Sequence, residues 1–227
     1  MRRILSALPL AGLAIANTAS AVTISTYPQW DGVNFSYQFG SSSLGYTPTY
    51  GQTFEAPGTE TYLTSYTSSF AYDSGSQFKF RLNIAAWSDA TSSIDTLNAT
   101  PLFTSPDLTS PVAADNFEEY TVTPNLQLTA GAKYVAYFTV LDIVQATAGG
   151  LRMATLTSDP YASGLFAYSN AADSSNLSNT PWSLDSSGFD TAFSATFETP
   201  PGPVPEPASM LALGVGLAAV IRRRWAR

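Results

Sequence analysis

For most of its length this sequence predicts an all-β fold, an antiparallel β-sandwich or jelly roll, and three observations predict it. Between Val22 and Phe197 the chain runs in short segments of period-two hydrophobicity. Gly, Pro, Asn, Asp and Ser, the residues that make turns, separate those segments. No stretch of the region combines helical periodicity with capping residues over enough length to hold a helix. To this domain the sequence adds two terminal helices: a cleavable N-terminal signal helix and a C-terminal transmembrane helix.

The elements follow in chain order. Residues 1–21 read as a secretory signal peptide. Arg2 and Arg3 supply a positive start, residues 4–16 are almost all apolar, and Ala19-Ser20-Ala21 offers a small-x-small cleavage site. Cleavage after Ala21 would open the mature chain at Val22. Strands are then expected over Val22–Tyr27, Gln52–Glu55, Tyr62–Tyr72, Gln77–Trp87, Leu102–Thr104, Glu119–Thr123, Lys133–Asp142, Leu151–Leu156, Leu165–Tyr168 and Ala192–Phe197.

The clearest of these is QFKFRLNIAAW, Gln77–Trp87. Phe78, Phe80, Leu82, Ile84 and Ala86 share one face, and Lys79, Arg81 and Asn83 share the other, as in a strand with one wet side. KYVAYFTVLD, Lys133–Asp142, is apolar on both faces and therefore predicts a central strand. Along YLTSYTSSFAY, Tyr62, Tyr66, Phe70 and Tyr72 have the same parity and predict an aromatic row on one face. Ser and Thr make up about a quarter of the chain, which suits wet strand faces and polar turns. The domain boundaries that result are 22–198 for the β-sandwich, 199–203 for a Pro-rich linker, and 204–227 for a separate C-terminal segment.

Charge and two absences narrow the chemistry. The whole chain carries 10 basic and 17 acidic residues. Within Val22–Thr199 the basic residues are Lys79, Arg81, Lys133 and Arg152, and all acids but Glu206 lie there, which leaves a net charge of −12. That field repels nucleic acid, which is excluded as a partner. The chain has no histidine, so His-based triads, His general acids and most zinc sites are excluded. It has no cysteine, so thiol catalysis, iron–sulfur clusters and disulfides are excluded too. No cofactor is implied, and the expected role is non-enzymatic.

Candidate contact residues are few. Trp30 in YPQWDG and Trp182 in NTPWSLD sit in turn-like stretches beside Asp or Asn, where an exposed indole could stack on a sugar ring. Each could equally plug one end of the core. Asp185 and Asp190 are candidate Ca²⁺ ligands, but no D-x-[DN]-x-[DN]-G loop accompanies them, and the sequence leaves a metal open.

The C-terminal segment has its own composition. ETPPGPVPEP, 198–207, has five prolines in ten residues and favours an extended backbone. Residues 208–221 are apolar except for Ser209, and Arg222, Arg223 and Arg224 follow at once. The expectation is a transmembrane segment over 208–221, flanked by arginines that would face the cytoplasm.

Val204-Pro205-Glu206-Pro207, then the apolar run, then the arginines, resembles the PEP-CTERM protein-sorting signal of Gram-negative bacteria. The resemblance covers only this segment. It implies recognition by an exosortase, a membrane cysteine transpeptidase, with Pro205, Glu206 and Pro207 as the recognition element and cleavage close to them. It also implies a transient inner-membrane intermediate, followed by the cell surface or extracellular matrix. The stretches GQTFEAPG, FRLNIAAW, LTAGAKYVAYF and FDTAFSATFE are similar to strand phrases of β-sandwich modules that precede such tails. They carry over no active-site residue. The expected function is thus an exported, exosortase-processed surface or matrix protein. The alternative is a carbohydrate-binding module of the envelope or biofilm matrix that meets exopolysaccharide or another glycan through exposed tryptophans.

Overall fold

Fifteen β-strands and four single-turn 3-10 segments make up the computed structural model, which describes residues 20–111, 116–184 and 189–200. In chain order the strands are β1 (Ala21–Ser25), β2 (Phe35–Gly40), β3 (Thr49–Glu55), β4 (Tyr62–Gly75) and β5 (Lys79–Ser88). The short β6 (Ser93–Ile94), β7 (Phe103–Thr104) and β8 (Leu108–Thr109) follow, then β9 (Glu118–Val122), β10 (Leu126–Gln127) and β11 (Lys133–Thr139). The last four are β12 (Gly149–Ala154), β13 (Phe166–Ser169), β14 (Ser183–Leu184) and β15 (Phe193–Glu198).

The strands form two curled antiparallel sheets. In the first, β4 is the spine. Ser68 and Phe70 of β4 each pair on both sides, so β15 and β12 share one edge end to end while β9 takes the other. Outer positions go to β1 on β15 and β2 on β12. The second sheet runs β14-β13-β3-β11-β5-β6, with β7 and β8 also on β5. The first and last strands pair along each other, Ala21 opposite Glu198. Ala21 is thus the opening residue of β1, and Thr199 leaves the last strand beside the first, its N–H donating to the Ser20 carbonyl at 3.2 Å.

Between the sheets lies a core made largely of aromatic rings. Phe70 of the first sheet meets Phe138 at 4.8 Å and Phe80 at 5.3 Å across the interface. Phe54 meets Tyr66 and Phe197 in the same way, at 6.3 and 6.1 Å. Such edge-on and tilted contacts add to the burial of large apolar area. β11 is central, as its apolar faces predict: Tyr134, Ala136 and Phe138 enter this core. Val135 and Tyr137 point the other way, into a second cluster with Trp87, Ile94, Leu177 and Trp182.

That second cluster corrects one expectation. The Lys79, Arg81, Asn83 face of β5 is not simply wet, because Asn83 is only 6% exposed. Chain segments around Ile94 and Leu177–Trp182 cover the outer side of this sheet, which no period-two reading of β5 alone can show. The aromatic row on β4 is corrected too. Tyr66 and Phe70 are fully buried, but Tyr62 is half-buried and Leu63 takes the core position. The register against β15 skips Thr64 and that against β12 skips Asp73. Each extra residue reverses the facing of what lies beyond it.

The fold class is corrected at its two ends. Among the described residues there is no α-helix, and no helix is long and apolar enough to cross a membrane. The expected signal helix falls on residues 1–21, of which all but Ser20 and Ala21 lie outside the described residues. The expected transmembrane segment 208–221 lies outside them entirely. Its 14 apolar-run residues are short of the roughly 20 that span a hydrocarbon core. The signal peptide, the transmembrane helix, the inner membrane as a partner and the inner-membrane intermediate all rested on those helices and are not carried forward.

Candidate functional site

The residues singled out in the sequence do not converge on one site. Pro205, Glu206, Pro207, Arg222, Arg223 and Arg224 lie outside the described residues, as do Ala19 and Asp185. Ala21 opens β1, and Trp30, Trp182 and Asp190 lie in three further, separate places.

Trp30 stands at the end of the single turn Tyr27–Gln29 and is half-buried. Its indole N–H donates to the Asn34 carbonyl at 2.9 Å, and its ring meets Phe117 edge-on at 5.0 Å and Tyr27 at 6.2 Å. The loop beneath it closes on Asp31, whose carboxylate accepts from the backbone N–H groups of Val33 and Asn34. Those bonds, from Asn34 first and Val33 next, hold the Asp31 carboxyl below the usual aspartate value. The sequence YPQWDG therefore builds a self-satisfied turn whose indole already has its partners.

Trp182 is 3% exposed and presents no ring face to solvent. It donates from its indole N–H to the Leu177 carbonyl at 2.8 Å. Its ring meets Trp87 and Tyr137 edge-on at 5.7 and 5.4 Å. This indole seals the outer cluster of the second sheet.

Asp190 is completely buried and ties the two sheets together. Its carboxylate accepts from the Gln52 side-chain N–H at 2.7 Å and from the Tyr161 backbone N–H at 2.8 Å. Gln52, on β3 of the second sheet, in turn accepts from the backbone N–H of Thr191 at 2.7 Å and from its hydroxyl at 3.1 Å. Thr191 leads directly into β15 of the first sheet. Both oxygens of Asp190 are thus engaged within the protein, which is the structural chemistry of a buried cross-link. Among the described residues no group of three or more His, Cys, Asp or Glu side chains could hold a metal ion.

Burial pushes the Asp190 carboxyl up to about 6, against the opposing pull of its bonds from Tyr161 and Gln52, and the neighbouring Asp159 raises it further. The folded protein therefore holds this proton more tightly than the unfolded chain does. The resulting stability is full below about pH 4 and is lost as pH rises through about 6. Unfolding midpoints measured across pH 4–7 will show stability falling as pH rises, and Asp190→Asn will flatten that slope.

The sequence marked Asp190 as a calcium candidate and missed Gln52 altogether. A glutamine in a strand that is otherwise buried, TYGQTFE, is the one signal available. Its partner lies 138 residues away, so no local pattern could name it.

Comparison with known proteins adds one finding. Residues 203–224 match the family model described as the PEP-CTERM protein-sorting motif. No curated protein matches the chain. Among solved structures, a chain titled "Structure of infectious bursal disease virus Gx strain" is similar at 16% identity and a TM-score of 0.28, over 94% of this chain. This chain spans about half, 52%, of that one. The protein carries a PEP-CTERM motif near its C-terminus, on a chain whose described part is a curled antiparallel sandwich.

Proposed function

We propose that this PEP-CTERM-bearing chain is an exported, non-enzymatic protein of the cell surface or extracellular matrix, sorted and processed by an exosortase at Pro205-Glu206-Pro207. The match over residues 203–224 carries the reading. Two prolines restrict the backbone to extended conformations that a protease cleft accepts, and Glu206 supplies one charge to be read. The last strand ends at Glu198, so the recognition element follows the folded domain after a few residues rich in proline. The non-enzymatic part is supported by a chain without histidine or cysteine and by a match to a sorting motif, not to a catalytic domain. The net charge of −12 on Val22–Thr199 suits a domain that stays soluble outside the cell. A carbohydrate-binding role through Trp30 or Trp182 draws no support from their placement, since one is half-buried with its N–H satisfied and the other is sealed in the core.

Substitution of the recognition element tests the reading. In a host that contains an exosortase, Glu206→Ala and Pro207→Ala will accumulate uncut precursor and reduce the processed form at the surface. Immunoblots of the cell and surface fractions read both quantities. Equal processing of the variants and the parent chain would refute the assignment.

A further inference from the structure

The first sheet leaves one edge open. At the two ends of β1, AVTIS, the Thr199 N–H donates to the Ser20 carbonyl and the Thr26 N–H to the Phe193 carbonyl, at 3.2 and 3.0 Å. With Val22 opposite Phe197 and Ile24 opposite Ala195, the even-numbered residues therefore bond to β15. The N–H and C=O groups of Ala21, Thr23 and Ser25 point to the other side, and among the described residues no strand pairs there. The chain does not fold back over that side. After Ser25 it turns across the sheet, where the Tyr27 hydroxyl meets that of Ser69 on β4 at 2.7 Å.

The other described edges are blunted in the ways that keep sheets from joining. β9 carries Glu118 and Glu119 and is followed by Pro124. β2 shifts register against β12, holds Gln38 at φ 70° and is bridged at Phe39 to Thr47. β6, β7, β8, β10 and β14 are each two residues long. β1 has none of these devices: its five residues pair with β15 in unbroken register, without charge, proline or bulge. A regular, uncharged edge with free backbone groups is a template for another strand.

The strand is also its own complement. Turned antiparallel about Thr23, it sets Thr23 opposite Thr23, Val22 opposite Ile24 and Ala21 opposite Ser25. Every free N–H and C=O of Ala21, Thr23 and Ser25 then meets a partner, because those residues fall on the hydrogen-bonded pairs of the new ladder. Val22 and Ile24, half-buried at the sheet margin, cover each other on the core side. On the outer side the Thr23 hydroxyl already bonds to that of Thr196 at 3.1 Å, and a second Thr23 extends that row.

We infer that β1 pairs with β1 of a second copy of this chain, about a two-fold axis at Thr23, and joins the first sheets of two sandwiches into one. A charged segment of another protein finds no counter-charge on β1, whereas a second β1 matches it in length, register and polarity. The acidity of the domain does not forbid the seam. The neighbouring strand β15 contributes one acid, Glu198, which lies opposite Ala21. From strand spacing and rise, the two copies of Glu198 would stand roughly 20 Å apart. That exceeds the screening length of about 8 Å at physiological ionic strength. Five residues a side fall short of the about 1,000 Å² of a stable interface, so the dimer is weak, with a dissociation constant of about 0.1 mM. The inference does not depend on exosortase processing.

Sedimentation equilibrium on the full chain tests it at about 10 μM and about 1 mM, either side of the expected constant. The expected result is largely monomer at the lower concentration and mostly dimer at the higher. Association is expected to be tighter at about 0.5 M salt than at about 0.15 M, because screening relieves the acidic repulsion. Thr23→Lys places like charges at the axis, and Thr23→Pro removes the central donor from the free side while keeping the bonds to β15. Each is expected to weaken association about tenfold or more, while Thr121→Lys, an exposed change of the same charge on β9, leaves it intact. Should Thr23→Pro fail to fold, Thr23→Lys decides alone. In this chain without cysteine, Thr23→Cys oxidised in air is expected to cross-link, since the paired Cα atoms would lie about 5.5 Å apart, within disulfide reach. Ser25→Cys, off the axis, is expected not to. A monomer at the higher concentration, a dimer that survives Thr23→Lys, or equal cross-linking of the two cysteine variants would overturn the inference.

Discussion

Phe70→Ala is expected to destabilise the domain by about 3–5 kcal/mol, the range for emptying a buried aromatic site. Phe70 is fully buried, and Phe39, Phe80, Tyr120 and Phe138 surround it at ring-centre separations between 4.8 and 5.9 Å. These neighbours come from both sheets, so the cavity would open at the middle of the sandwich and the strands could close it only by shifting register. Tyr62→Ala, on the same strand and at the same parity, is expected to cost about 1 kcal/mol or less, as at partly exposed positions. Thr64 is the reason for the difference: as an extra residue in the register it turns Tyr62 out and brings Leu63 in. Urea denaturation of the two variants measures both. Equal losses would mean that the row is continuous and the bulge is absent.

Gly149→Ala is expected to cost about 3 kcal/mol or more, at the upper end for overpacking, because the obstacle is backbone. Gly149 starts β12 where that strand enters between β2 and β4. A Cβ there would sit 2.1 Å from the Ser76 carbonyl oxygen and 2.8 Å from a ring carbon of Phe78. A carbonyl oxygen cannot swing away as a side chain can. Gly149 also makes two bonds with Ser41: its carbonyl accepts from the Ser41 N–H at 3.0 Å, and its N–H donates to the Ser41 hydroxyl at 3.1 Å. Moving it would strain both edges of the strand. Gly58→Ala provides the contrast: it has nothing within 4 Å and no left-handed backbone, so it should be neutral or stabilising by up to about 1 kcal/mol. Thermal unfolding of the pair reads the difference.

These two positions show where the sequence was readable. β5 could be located because its apolar residues repeat with the strand period, and β11 because it is apolar on both faces, which also declared its central place. β2 was missed because its register against β12 shifts and Gln38 within it adopts φ 70°, which breaks the alternation. The two-residue strands β6, β7 and β8 exist because β5 offers a long edge, and only β7 was anticipated within a longer apolar phrase. The polar features were the least visible. Asn83 is buried by segments distant in sequence, and Gln52 finds Asp190 across 138 residues. No window of neighbouring residues carries that information. The aromatic candidates failed for a related reason: an indole beside Asp or Asn reads alike whether it faces water or, like Trp182, another tryptophan.

The terminal segment had the opposite character. Its order of proline bracket, apolar run and arginines is purely local, and the family match over residues 203–224 rests on the same order. Its apolar run was over-read as a membrane helix, although its 14 residues are short for that purpose. The sorting motif is therefore legible as a linear element, while the polar ties inside the sandwich depend on side chains gathered from distant strands.

The central claim is that the chain is cut at its proline-bracketed glutamate and that the acidic sandwich is what persists outside the cell. Intact-mass spectrometry of the protein recovered from the surface or matrix of its own bacterium tests this most directly. The predicted result is a C-terminus at or beside Pro205–Pro207, with Arg222, Arg223 and Arg224 removed. A recovered chain that still ends at Arg227 would contradict it.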